Sequence, residues 1–493
     1  MKYKLMGLFA AALTLVAIII ISKSMPEDNG NRYIEHVVAE EKEPCKAHTQ
    51  DILCSHLPIV SINTNGKEIP GKPVYDEEFN VIDYTLAEDG TTSIKASMDV
   101  INNKNKYNHL NDRATDTGSV MLRVRGHSSR RFEKANYFIR FVNDDGTNCP
   151  KSFLGMDAHH EWALHGPFLD KTLVRNYMWY NISGEIMDYS PNVRFFELVL
   201  NGEYRGLYLA IETITAGKEG ARLSLAVNKK DNTFSGYALR LDWGDTDEEN
   251  KLYPFTNYTT RAKTQHELVY PGAKNMTPEL KEAIKNEFSL FEKSLYSYDY
   301  NNKKYGYKNY IDVDSFVDYF LINELTCNYD AGSLSTYIYK DTLGKYKMCV
   351  WDFNSACDAY QEQPMPTDDF RLHTVLWFQM LFMDDEFTDR VVERYRELRQ
   401  TVFSEEYLFG FVDDTVDYLG SAVDRNYNRW GYTFEQDYDL LHPTDRNPRN
   451  YEESVEQLKS FLTKRLAFMD ENIESLKQYS AESKTKKYNE VSD

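Results

Sequence analysis

The chain is 493 residues long, with a formal net charge of −20 and 42% hydrophobic residues, 14% of all residues being aromatic. That content buries a sizeable core, and the length allows two or three average domains or one large domain with insertions. The acidic surplus argues against nucleic-acid binding, which needs a basic face, and suits a metal-assisted site, basic partners or simply a solvated acidic surface.

The N-terminal stretch is MKYKLMGLFAAALTLVAIIIISKSMPEDNG, in which Lys2 and Lys4 precede an apolar run from Leu5 to Ile21. It reads as an export signal or an N-terminal membrane anchor (residues 1–23), just long enough to span a bilayer as a helix. Bulky Ile18 to Ile21 leave no small-x-small cleavage site, which favours an uncleaved anchor with the acidic remainder outside the membrane. A polar, charged linker fills residues 24–56. Within it Cys45 and Cys54 are candidate disulfide partners in an exported chain. Cys149, Cys327, Cys349 and Cys357 are scattered and read either as buried thiols or as a second bridge; no C-x-x-C pair and no histidine spacing suggests zinc.

The globular part spans 57–477. LPIVSINTNGKEI (57–69) alternates and carries an Asn-Gly turn, the signal of a hairpin. Strands follow at 93–101, 119–126 and 136–142. Residues 170–187 repeat apolar positions at helical spacing. RFFELVLNGEYRGLYLAIETI (194–214) holds two strands about Asn201-Gly202, a strong hairpin signal. From about residue 276 the chain turns helical. Thr277 is the N-cap and Pro278 the first residue of a helix, and further helices are expected at 312–328, 384–402 and 454–478. Residues 478–493 are a charged tail. A β-rich first half (57–275) and a helical second half (276–477) make an α+β fold.

Within the helical half, TCNYDAGSLSTYIYKDTLGKYKMCVWDFNSACDAY (326–360) interrupts the pattern with a β-hairpin. Asp330 follows a helix, Ser335 comes five residues later, the turn closes at Gly344, and Asp352-Phe353 stands at the end of the return strand. Phosphoryl transfer needs a carboxylate near the attacking hydroxyl and oxygen ligands for a divalent cation, and this spacing has that logic. Such an aspartate can equally be a loop cap.

Several words taken together are specific: LPIVSINTNG, RVRGHSSRRFEKANYFIRF, LGMDAHHEWALHGPFLDKTLVRN, LVLNGEYRGLYLAIE, SFVDYFLINELTCNYD and YKMCVWDFNSACDAY. In this order the chain resembles the spore coat protein H (CotH) kinase family over about 57–360, with the helical remainder to about 475 similar too. The resemblance implies an atypical protein-kinase-like fold that uses ATP and Mg²⁺ (or Mn²⁺) to phosphorylate protein Ser/Thr. It makes Asp330 the catalytic aspartate, orienting the substrate hydroxyl and taking its proton late. It makes Asp352 the metal-binding aspartate, with Ser335 and Asn354 beside it. Ser335 stands where the family often has Asn, and Asn354 where it often has Asp, so the metal loses anionic charge. Lys134 or Arg140 would meet the nucleotide phosphates. The loop Arg125-Gly126-His127-Ser128-Ser129 is either a phosphate-facing loop or a tight β-turn. Asp170 with Arg175 is a buried structural pair, or Arg175 faces phosphate. Glu212 pairs the phosphate-binding lysine or is a structural carboxylate.

The leading expectation is a membrane-anchored, extracytoplasmic kinase acting on a basic, Ser-rich protein substrate, which the −20 charge would attract. The alternatives are a non-catalytic surface binding or adhesion module of the same fold, favoured by Ser335 and Asn354, and transfer of AMP in place of phosphate.

Overall fold

The computed structural model describes residues 32–45, 53–217, 222–226, 235–244, 248–258, 264–272, 275–359, 363–435 and 446–480. The apolar run Leu5 to Ile21 and the C-terminal tail lie outside the described residues, among which no helix is long and apolar enough to cross a membrane.

The first layer is a closed seven-stranded barrel. Its strands are β1 (Ile59–Asn63), β2 (Ile94–Ile101), β3 (Asp116–Val124), β4 (Tyr137–Val142), β5 (Glu161–His165), β6 (Val193–Leu200) and β7 (Glu203–Glu212). They run in the order β5-β7-β6-β1-β2-β3-β4, and β4 pairs β5 to close the ring. Alternate residues such as Val120, Leu122, Ile139, Phe141, Trp162, Leu164, Phe196 and Tyr208 fill the interior, as the two-residue strand period requires. The β6–β7 hairpin turns at Asn201 and Gly202, both at positive φ, the backbone that Asn-Gly adopts most readily. The hairpin expected at 57–69 does not form. Asn65 and Gly66 make the turn, but β1 pairs antiparallel with β2 and parallel with β6. Its partners lie far along the chain because they complete the barrel, which a local pattern does not reveal.

The second layer is a five-stranded sheet. β8 (Tyr237–Asp242), β9 (Lys251–Leu252) and β10 (Gln265–Tyr270) join β11 (Thr336–Lys340) and β12 (Lys347–Cys349) in the order β9-β10-β8-β11-β12. The sheet therefore draws strands from both sides of residue 276.

The helices are α1 (Arg175–Ile186), α2 (Pro278–Leu295), α3 (Val313–Leu325), α4 (Leu376–Leu381), α5 (Asp385–Arg399), α6 (Glu405–Leu419), α7 (Ser421–Trp430) and α8 (Tyr451–Asn472). Thr277 caps α2, its hydroxyl accepting from Leu280 N at 3.2 Å. α3 packs against α5 and α8, and α7 lies on β7. One apolar core, including Tyr177, Trp179, Phe288, Phe291, Phe320 and Trp377, runs from α1 through the sheet to the helices.

Candidate active site

The open ends of three strands and one helix meet at a cluster of aspartates. In the β8–β11 ladder Leu241 lies opposite Thr336, so the next residues, Asp242 and Ser335, fall side by side where the ladder ends. In the β11–β12 ladder Tyr337 lies opposite Cys349, which brings Asp352 out at the same end. The loop after α3 adds Asp330. All three aspartates are half-buried, recessed yet reachable.

Asp352 and Ser335 hold left-handed backbone, at φ 60° and 48°. Each such non-glycine position costs about 1–3 kcal/mol and persists only where the surroundings over-determine it. Those surroundings are visible. Asp352 N donates to Tyr180 Oη at 2.9 Å, Phe353 N donates to Asn176 Oδ1 at 2.8 Å, and Asp352 O accepts from Asn328 Nδ2 at 3.2 Å. Phe353 is fully buried against Trp179 and Tyr180. α1 thus acts as the template on which Asp352 is presented.

The electrostatics follow from this crowding. Burial, then the Asp352 and Asp242 carboxylates, push the Asp330 carboxyl up to about 7, against the opposing pull of Arg371. Burial also raises Asp352; Arg125 opposes that rise and Asp242 adds to it. A pocket that holds like charges this close favours a cation. The donor set is all oxygen, from Asp330, Asp352, Asp242 and Ser335, which suits a hard divalent ion such as Mg²⁺. Asn328 Oδ1 beside Asp352 is buried without a hydrogen-bond partner, a further oxygen of the same kind. Asn354 lies against Asp352, its backbone N donating to Oδ1 at 3.4 Å; with its side-chain amide turned end for end, the amide nitrogen would face the same carboxylate. Turned that way it donates to Asp352; turned the other way its oxygen sits beside the carboxylate, where a cation would lie between them.

Arg125 faces the cluster. Its guanidinium lies over the Trp351 ring at 5.3 Å and its charge acts on Asp352; it makes no ion pair among the described residues, so its donors are open to an anion. Gly126 sits at φ 109°, where an added Cβ would lie 2.1 Å from Ser129 Oγ, so only glycine fits. Ser128 and Ser129 open a short 3₁₀ helix, Ser128–Arg131. His127 stacks on Trp243, the residue after Asp242, with ring centroids 5.0 Å apart. The Arg125–Ser129 segment is therefore a tight turn whose tip rests beside the cluster.

Four residues expected at the nucleotide have places or partners of their own. Lys134 is 1% exposed, its Nζ donating to Asn426 Oδ1 of α7 at 2.7 Å. Burial holds its pKa well below the ordinary lysine value. It is enclosed because α7 packs across the barrel mouth, and it couples barrel to helix. Arg140 stands opposite Glu161 on the outer barrel face, about three residues or roughly 10 Å along β4 from the end that adjoins Arg125. Glu212 does not meet Lys134: its Oε2 accepts from Asn192 N at 2.9 Å and from Asn192 Nδ2 at 3.2 Å, with Arg222 and Arg32 nearby. Arg175 is structural. It donates to Asp170 Oδ1 at 2.6 Å, Ala356 O at 2.9 Å and Cys357 O at 3.1 Å, tying the loop after Asp352 to α1.

Asp242 was not singled out from the sequence. Its only local signal is the alternating YALRLD strand ending in an acid, and its place at the site comes from long-range register. Arg371 and Tyr180 were missed for a similar reason, since their places at the site come from distant parts of the chain; Asn328, two residues before Asp330, was within reach of the local reading. The aspartates line neither a cavity of about 750 Å³ between residues 33–44 and α6 nor one of about 340 Å³ beside Arg175 and Cys357; they open at the strand ends.

Comparison with known proteins adds two findings. A family model described as CotH kinase protein matches residues 122–469. The inner spore coat protein H of Bacillus subtilis (strain 168) is 23% identical over 298 residues, covering 59% of this chain and 73% of that protein.

Proposed function

The chain belongs to the CotH kinase protein family, and from that premise we propose that it is a metal-dependent protein kinase acting on Ser/Thr. The observation that carries the reading is the convergence of Asp330, Asp352 and Asp242 beside Arg125, whose charge acts on Asp352 and which makes no ion pair among the described residues. The proposal includes the fold: the barrel is the nucleotide-facing lobe and the helices form the second lobe of a kinase-like arrangement.

Asp352 and Asp242 would hold the divalent cation, with Ser335 and Asn328 as neutral oxygens. ATP would supply the phosphoryl group, and Mg²⁺ would neutralise its charge. Arg125 presents a planar fork of donors suited to phosphate oxygens. Asp330 orients the acceptor hydroxyl and takes its proton; a carboxylate lifted to about 7 is well matched to that task near neutral pH. The non-catalytic reading drew on the anionic charge missing at Ser335 and Asn354. Asp242 supplies a carboxylate at the same place, which favours catalysis. The relative's name puts that protein in the inner spore coat; a spore-surface setting, and a basic, Ser-rich substrate suited to the −20 charge, are parts of the same proposal.

The test is thermal stability with Mg²⁺ and ATP, separately and together. At about 100 times its dissociation constant a ligand adds roughly 2.7 kcal/mol. The shift is expected only with both, reduced in Arg125→Met and retained in Lys134→Met, because Lys134 faces Asn426. No shift at millimolar Mg·ATP in a folded sample would sink the kinase reading.

A second expectation concerns pH. The folded-state pKa of Asp330 lies above its ordinary 3.8, so its contribution to stability is fully present below about 3.8 and is lost as pH rises through about 7. Metal-free protein should therefore lose stability over that window. Asp330→Asn should flatten the slope, and so should Mg²⁺, which offsets the neighbouring charges. Urea midpoints from pH 4 to 8 decide it; an identical slope in the variant would refute the assignment.

A further inference from the structure

A second constellation lies apart from the aspartates. Cys45, Cys54 and His109 come from three separate segments, yet their thiols and an imidazole nitrogen all lie within 4.8 Å of one another. Backbone pairing puts them there. Cys54 is directly opposite His109 in a two-residue antiparallel ladder, with Ser55 opposite Asn108. Cys45 arrives on the N-terminal segment, where Glu43 N donates to Asn105 O at 2.9 Å and Glu43 O accepts from Tyr107 N at 3.2 Å.

His109 is also oriented. Asp112 Oδ2 lies 3.5 Å from His109 Nδ1, accepts from His109 N at 3.1 Å, and is itself held by Asn103 Nδ2 at 2.9 Å. A carboxylate on one ring nitrogen fixes the ring and leaves the other nitrogen for an ion, the arrangement found behind metal-ligating histidines. With Nδ1 serving Asp112, Nε2 would be the nitrogen that binds the ion.

We propose that Cys45, Cys54 and His109 form a zinc site. Two thiolates and an imidazole are the donor set that zinc prefers over the hard cations suited to the aspartate cluster. Three protein ligands leave a fourth position for water. Each thiol loses its proton to solvent as its sulfur–zinc bond forms, so no oxidant or reductant is required. The ion would cross-link the segment that carries Cys45 to the ladder of Cys54 and His109. That segment, from Tyr33 to Pro44, lines one side of the 750 Å³ cavity, so zinc would keep that wall in place. A disulfide between Cys45 and Cys54 would use up both thiols and excludes the site.

The experiment uses the full chain, purified under reducing conditions and titrated with Zn²⁺ against a chromophoric chelator, with Co²⁺ as a spectroscopic probe. The expected result is one Zn²⁺ per chain and a thiolate-to-cobalt charge-transfer band, both lost in Cys54→Ser and in His109→Gln. Asp112→Asn keeps all three ligands and should weaken binding by roughly 10–100-fold; it also keeps the test decisive if a ligand variant misfolds. A reduced wild-type chain that gives no charge-transfer band overturns the proposal. So does a band that survives in Cys45→Ser and Cys54→Ser, or a Cys45–Cys54 disulfide whose reduction confers no zinc binding.

Discussion

Asp352→Ala is expected to abolish the Mg·ATP-dependent thermal shift and to lower phosphoryl transfer by roughly three orders of magnitude, the scale on which a preorganised charge in a phosphoryl-transfer site acts. The same substitution should leave the metal-free protein as stable or more so. Burial and Asp242 both disfavour charge on Asp352, and Asp352 in turn raises Asp330, so its removal relieves repulsion. Asp330→Asn should behave differently. Transfer should fall by about 10²–10⁴-fold, the usual worth of a general base, while the Mg·ATP shift survives. Radiolabel transfer and thermal shift measured on both variants separate the two roles. Loss of the shift in Asp330→Asn with retention in Asp352→Ala would reverse the assignment.

The second large effect is on stability. Arg465 of α8 is fully buried, its Nη2 donating to Glu324 Oε1 at 2.7 Å and its Nε to Glu324 O at 3.0 Å. Its Nη1 reaches Asp369 O at 2.6 Å, and the Glu324 carboxylate also accepts from Arg371 N and Leu372 N, both at 2.8 Å. This one pair joins α3, α8 and the loop carrying Arg371, the cation that opposes the rise of Asp330. Arg465→Met leaves a buried carboxylate without its counter-charge, at a cost of about 3–5 kcal/mol. The urea midpoint should fall with little change in slope. The double variant Glu324→Gln, Arg465→Met should recover part of the loss, because the unpaired charge is then gone. A loss below about 1 kcal/mol in the single variant would show that the pair is not the clamp described here.

Asp330 and Asp352 were legible as candidates because they lie within one 35-residue stretch, either side of the β11–β12 hairpin, and their spacing is local. The β6–β7 hairpin was legible because Asn201-Gly202 is a turn that the backbone itself prefers. Thr277 and Pro278 marked the start of α2 for a similarly local reason, the unsatisfied N–H groups of a helix end. Lys134 shows the limit. Its sequence context suggested a phosphate-binding lysine, but α7, almost 300 residues further on, covers it and turns it into a structural contact. Arg175 likewise left two readings open until its donors were found on Asp170, Ala356 and Cys357.

What the sequence by itself determined was most of the barrel strands and the main helices, the α+β class and the family. These depend on local propensity, turn chemistry and motif words read along the chain. Tertiary structure alone decided that β1 closes a barrel instead of a hairpin, that Asp242 is the third carboxylate, that Arg125 and not Lys134 faces the cluster, and that Cys45, Cys54 and His109 meet. Each of these depends on register between distant strands or on a helix laid across a barrel. Such pairings are set by the burial of the whole core, and no short window of sequence contains both partners.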